Sequence, residues 1–144
     1  MAFQAETAQI LAMSDPILNT ALSGLTAANQ RLAAAASNIA NAQDTGPLAP
    51  QPGQTPPYQP SDTVQSTRPG GGTVATYRPV TPASQAIYDP NSPFADGNGL
   101  VAAPNVDTAQ QLVQAIIAKE AYAANAKVVE AAQSQQRATL DLFT

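Results

Sequence analysis

At 144 residues the chain has room for one domain with a modest core, and ten acidic against six basic residues leave it at net −4. Histidine, cysteine and tryptophan are absent, which removes Cys/His zinc sites, Ser-His and Cys-His nucleophile pairs, thiol redox chemistry and disulfides. The few carboxylates are scattered and the basic residues form no run, so neither catalysis nor nucleic-acid binding is expected.

Residues 1–15 read as a leader, with Phe3, Ile10, Leu11 and Met13 at loosely helical spacing. A short helix and a flexible export segment both fit. The positive region of a secretory signal is missing, and no apolar run in the chain approaches the ~20 residues of a membrane helix. Asp15 can cap a helix and Pro16 suits its first turn, which predicts a helix over 16–42.

That helix carries the most informative pattern in the chain. Leu18, Leu25, Leu32 and Ile39 recur every seven residues, and Ala21, Ala28 and Ala35 follow three places after each leucine. Such a ladder puts seven side chains on one seam for lengthwise packing against partner helices. Gly24 interrupts it, either for close helix–helix contact or as a hinge.

Residues 43–104 form a linker that holds twelve of the thirteen prolines and seven of the eight glycines. Strand formers within 73–88 (Val74, Tyr77, Val80, Ile87, Tyr88) allow one short β-hairpin there. Tyr88-Asp89-Pro90 and Asp96-Gly97-Asn98-Gly99 are turn chemistry. Two carboxylates and no glutamate give that loop too few ligands for calcium, so no metal is expected.

A second helix is predicted over 105–144, with Asp107 and Gln110 resembling a capping box. Its seam is less clean. Leu112, Ala126 and Leu140 with Tyr122, Val129 and Phe143 give one register, and Ile116 with Ala123 a competing one. The predicted fold is therefore mainly α: two long terminal helices in a coiled-coil-like pair, joined by a Pro/Gly-rich extended segment. The seams serve either a hairpin within the chain or packing onto other chains, and a monomer that completes its folding on assembly is expected.

Ser23–Gln43, SGLTAANQRLAAAASNIANAQ, resembles the N-terminal signature of the bacterial flagellar axial proteins of the rod and hook. Ala121-Tyr122-Ala123-Ala124-Asn125 resembles the core of their C-terminal helix. Tyr88–Val106, YDPNSPFADGNGLVAAPNV, is similar to the proximal-rod members of the family. The Pro-rich stretch after Asn41 departs from the family pattern, with Pro57-Tyr58 in the place of its Pro-Tyr.

The resemblance implies a structural rod subunit that transmits torque from the inner-membrane ring toward the distal rod and hook. It implies a place in the basal body, across the periplasm, reached by flagellar type III export without a cleaved signal peptide. Implied partners are other rod proteins, copies of this chain, the export apparatus, and the adaptor at the inner-membrane ring and export gate. No cofactor, membrane span or small-molecule substrate is implied. The packing residues on this reading are the seven of the first seam, Asn38, Leu112, Ile116, Tyr122, Val129 and Leu140. Asn38 either ends a helix or bridges subunits through its amide, whereas Asn41 reads as a helix end. A rival is an amphipathic protein that coats lipid or polymer granules, which liposome binding would separate. Two weaker rivals are a carboxylate-pair enzyme and a proline-rich ligand at Pro47–Pro60.

Overall fold

The computed structural model describes residues 2–141, with side chains at residues 16–139 and 141. In chain order it has α1 (Ala2–Ala40), β1 (Ser61–Thr67), β2 (Thr73–Pro79), β3 (Ser84–Tyr88), β4 (Leu100–Pro104) and α2 (Thr108–Asp141).

The mainly α expectation is corrected. The central segment is not an extended connection but four antiparallel strands in two small sheets, and the fold is mixed. The expected hairpin over 73–88 is also redistributed. β2 and β3 are both strands, but β2 pairs with β1 and β3 with β4. The missed partners are SDTVQST, whose apolar content is one valine, and LVAAP, which ends in proline. Neither shows the alternation by which strands are recognised. Of the prolines and glycines that argued against structure, all but Pro79 and Pro104, which end β2 and β4, lie outside the strands. Gly70, Gly71 and Gly72 take φ near +90° at the β1–β2 tip, where Arg68 N–H bonds Gly72 O at 3.1 Å.

Helix α1 begins at Ala2 rather than at Pro16, which lies inside it. Proline lacks the N–H for an i−4 bond but keeps a helical φ, so a helix can continue through it at a local loss. At the other end Asn41 Nδ2 donates to Ser37 O at 2.8 Å, closing the last turn as a helix-ending asparagine should. Asp107 starts α2: its Oδ1 accepts Gln110 N–H at 3.0 Å.

The chain divides into two compact units. One comprises residues 1–30, 65–76 and 117–144, and its buried positions are Ala21, Ala27, Ala28, Ala75, Ala118 and Ala132. The other comprises 31–64 and 77–116 and buries Ala34, Ala35, Asn38, Val101, Ala102, Ala103 and Gln111. There β4 is central: β3 pairs along one edge from Ser84↔Pro104 to Tyr88↔Leu100, and Gly46 pairs with Ala102 on the other. Asn38 and Gln111 bond at 3.1 Å and Arg31 Nη2 and Gln114 Oε1 at 2.9 Å, so α1 and α2 run antiparallel in this unit.

Candidate packing interface

Each unit has small side chains inside and large apolar ones outside. Among the described residues, alanine supplies ten of the eleven buried hydrophobic residues, and Val101 is the other. Of the predicted first seam, Ala21, Ala28 and Ala35 are buried and Leu18 and Leu25 half-buried. Leu32 and Ile39 remain 39% and 37% exposed. The alanine half of the ladder therefore closes the fold, while part of its aliphatic half stays outside.

On α2 the buried positions are Gln111, Ala118 and Ala132. With half-buried Asn125 they form a heptad one residue out of step with Leu112, Ala126 and Leu140. Leu112 is 56% exposed, Ile116 and Tyr122 are exposed, and Val129 is half-buried. The side chain of Leu140 and all of Phe143 lie outside the described residues. A one-residue offset rotates the face by about 100°, because a helix has 3.6 residues per turn. The rule that large apolar residues mark the inward face misses this register. The signal is in the sequence, as a small-and-polar repeat, Gln111-Ala118-Asn125-Ala132, complementary to the alanines of α1.

Gly24 shows how close the helices come. A Cβ there would lie 2.7 Å from Asn125 Cγ, while Asn125 Nδ2 is held by Ala121 O at 2.8 Å. Gly24 is thus a contact glycine. Beside it Pro16, Ile17, Thr20, Ala21, Asn125 and Val128 line an open groove of about 330 Å³. Ser23 Oγ donates to Thr20 O at 2.7 Å and accepts Thr73 N–H at 3.0 Å, tying β2 to α1.

Asn38 organises the other unit. It is 0% exposed and both amide atoms are fully used. Nδ2 donates to Ser61 O at 2.9 Å and to Gln111 Oε1 at 3.1 Å. Oδ1 accepts Ser61 N–H at 3.2 Å and Tyr58 OH at 3.1 Å. Tyr58 OH lies 2.9 Å from Ser37 Oγ. The amide meets Ser61 as a neighbouring strand would, and it binds α1, α2 and the start of β1 together. Its four hydrogen bonds are made within the chain.

The β3–β4 loop is built by Asp96. Its Oδ1 accepts the N–H groups of Leu100 at 2.9 Å and Asn98 at 2.8 Å, which hold its carboxyl below the ordinary 3.8. Gly99, at φ +75°, lies against Tyr88, where a Cβ would come within 2.8 Å of Cε2. That loop carboxylate is already occupied by backbone. Among the described residues no three of His, Cys, Asp and Glu gather to hold a metal. The surface pair Lys127–Glu130, 2.8 Å apart, raises the lysine and lowers the glutamate. Solvent screens it, and it decides nothing about the fold.

Large apolar side chains therefore stand exposed on both helices over alanine cores. In comparison with known proteins, residues 18–47 match the family described as flagella basal body rod protein, and residues 98–142 match the flagellar basal body rod FlgEFG protein C-terminal family. The chain is 38% identical over 133 residues to the flagellar basal-body rod protein FlgC of Escherichia coli O6:H1, covering 88% of this chain and 95% of that protein. The chain belongs to the FlgC family of flagellar basal-body rod proteins.

FlgC of Salmonella typhimurium strain LT2 is 37% identical over 135 residues, and that of Buchnera aphidicola from Acyrthosiphon pisum 32% over 130. Both alignments again span 88% of this chain and 95% of the relative. This FlgC-family chain is a structural subunit of the basal-body rod. Its two family matches fall on the α1 seam with the turn after it, and on β4 with α2. Those elements contain Asn38, Gln111 and the exposed Leu32, Ile39, Leu112 and Ile116.

Proposed function

We propose that this chain is a subunit of the proximal rod and acts by helix packing alone, without an enzymatic activity. It carries torque from the inner-membrane ring toward the distal rod and hook. Leu32, Ile39, Leu112, Ile116 and Tyr122 pack onto copies of the chain and onto other rod proteins, with the adaptor at the inner-membrane ring and export gate below. It arrives by flagellar type III export without a cleaved signal.

The observation that supports this reading is the inverted burial: alanines inside, large aliphatic side chains outside. A monomer built for water places the large residues inward, since each contributes about 1.5–3 kcal/mol on full burial. Contiguous apolar surface outside marks a binding face. The test is Leu32→Asp, expressed in a motile strain lacking its own copy. The substitution lies at a half-open position, so the helical circular dichroism of the purified chain should match wild type. Basal bodies should then lack rods, and swimming should be lost. Normal rods containing Leu32→Asp would refute the packing role.

A further inference from the structure

We propose that β3 accepts β1 of a second copy by edge-to-edge strand addition, making a head-to-tail contact between neighbouring copies in the rod. The proposal rests on the rod reading above and adds the contact it uses.

Strand edges in this chain are closed one after another. In the β3–β4 pair, Asp89 N–H bonds Gly99 O at 2.9 Å and Asn105 N–H bonds Ala83 O at 2.9 Å. Antiparallel hydrogen-bonded pairs alternate, so residues 83, 85, 87 and 89 face β4 and Ser84, Ala86 and Tyr88 turn their N–H and C=O groups outward. The far edge of β4 is taken by Gly46, which exchanges two 2.9 Å bonds with Ala102. Among the described residues no hydrogen bond reaches the outward groups of Ser84, Ala86 or Tyr88.

This edge also lacks the usual protection. Gln85 to Tyr88 are exposed, Tyr88 at 72%, and the strand SQAIY has no charge, no proline and no bulge. Natural edges carry such features to prevent pairing with another chain.

The occupant follows from matching edges. Bonds from Arg68 N–H to Gly72 O at 3.1 Å and from Val80 N–H to Pro60 O at 3.0 Å set the β1–β2 alternation. Thr63, Gln65 and Thr67 therefore point outward from β1, and Thr73, Ala75, Tyr77 and Pro79 from β2. β2 is unsuited: Ser23 occupies Thr73 N–H, Pro79 has no donor, and Arg78 adds charge. On β1, Asn38 occupies Ser61, and Thr63–Thr67 remains as an uncharged run. Its three outward residues repeat the i, i+2, i+4 spacing of Ser84, Ala86 and Tyr88. Laid antiparallel, Ala86 faces Gln65, with Ser84 opposite Thr67 and Tyr88 opposite Thr63. Two different edges that fit one another make a heterologous contact, which runs on from copy to copy, as a ring or an open helix, rather than closing a two-fold dimer.

The test co-produces a Gln65→Cys chain and an Ala86→Cys chain, distinguishable by tag, in a motile strain lacking its own copy. The chain has no native cysteine. Opposed residues in an antiparallel pair are about 5.5 Å apart at Cα, within disulfide reach. Oxidised basal bodies should yield the mixed Gln65→Cys/Ala86→Cys dimer and neither single-variant dimer. In parallel, Ala86→Pro removes an outward N–H without touching the β3–β4 ladder, and should lower incorporation by about two- to tenfold, as loss of one net hydrogen bond would. Its circular dichroism should be unchanged. Rods that hold both cysteine chains without the mixed disulfide, a dimer of Ala86→Cys with itself, or wild-type incorporation of Ala86→Pro would each overturn the contact. If the wild-type chain itself never enters basal bodies, the rod reading falls, and this contact with it.

Discussion

Replacing Asn38 with alanine probes the interior most directly. The change deletes four hydrogen bonds at a side chain with no solvent access. Each net bond contributes about 0.5–1.5 kcal/mol, and a buried partner left unmatched adds about 1–3 kcal/mol. Tyr58 keeps Ser37 as a partner at 2.9 Å, and Ser61 is only half-buried, so both can recover part of the loss. Gln111 has little access to water and recovers less. The expected destabilisation is about 2–4 kcal/mol, a large share of a typical 5–15 kcal/mol. Urea denaturation followed by circular dichroism measures it, with a Tm lowered by roughly 5–15 °C as a second readout. Asn38→Asp should be worse at neutral pH, because its carboxylate faces Ser61 O and the Gln111 carbonyl oxygen without donating. Burial raises the carboxyl pKa above its unfolded ~3.9, so the penalty grows above that pH and shrinks as pH falls toward it. A loss below about 0.5 kcal/mol in Asn38→Ala would refute the clamp. Unchanged monomer stability with failed rod assembly would return Asn38 to a bridging role between subunits.

Gly24→Ala should destabilise by about 1–3 kcal/mol, despite a helix-propensity gain near 1 kcal/mol, because the new Cβ meets the Asn125 side chain. Adding Asn125→Ala should restore most of the loss in the same denaturation assay; a stabilised single variant would contradict the close contact. Asp96 should titrate below 3.8, measured by its carboxyl carbon shift in NMR. Its folded pKa is depressed, so its contribution to loop order is present above 3.8 and disappears as pH falls through the lower folded value. Asp96→Asn, which still presents an acceptor oxygen, should keep the Asn98 and Leu100 amides protected from hydrogen exchange, and Asp96→Ala should not.

Much of the family identity was legible in the chain itself. The Leu18-to-Ile39 heptads, the Asp107 cap, the Ser23–Gln43 signature and the Tyr88–Val106 motif are local patterns, and local patterns survive without tertiary information. The terminal helices follow from them, except that α1 runs through Pro16 where a cap was readable. The strands β1 and β4 were not legible. Their pairing depends on Asn38 covering Ser61 and on Gly46 covering Ala102, contacts between residues more than twenty positions apart.

The sequence by itself determined that two alanine-rich helices exist and that the chain has no residues for histidine, thiol or zinc chemistry. Only the tertiary structure decided which face of each helix turns inward. Hydrophobicity alone could not decide it, because large apolar residues such as Leu32, Ile39, Leu112 and Ile116 stay on the outward faces. The close inner contact is left to alanine, glycine and a few matched amides. That inner register is chosen by whether Asn38 and Gln111 find partners, and such partners exist only once distant parts of the chain have met.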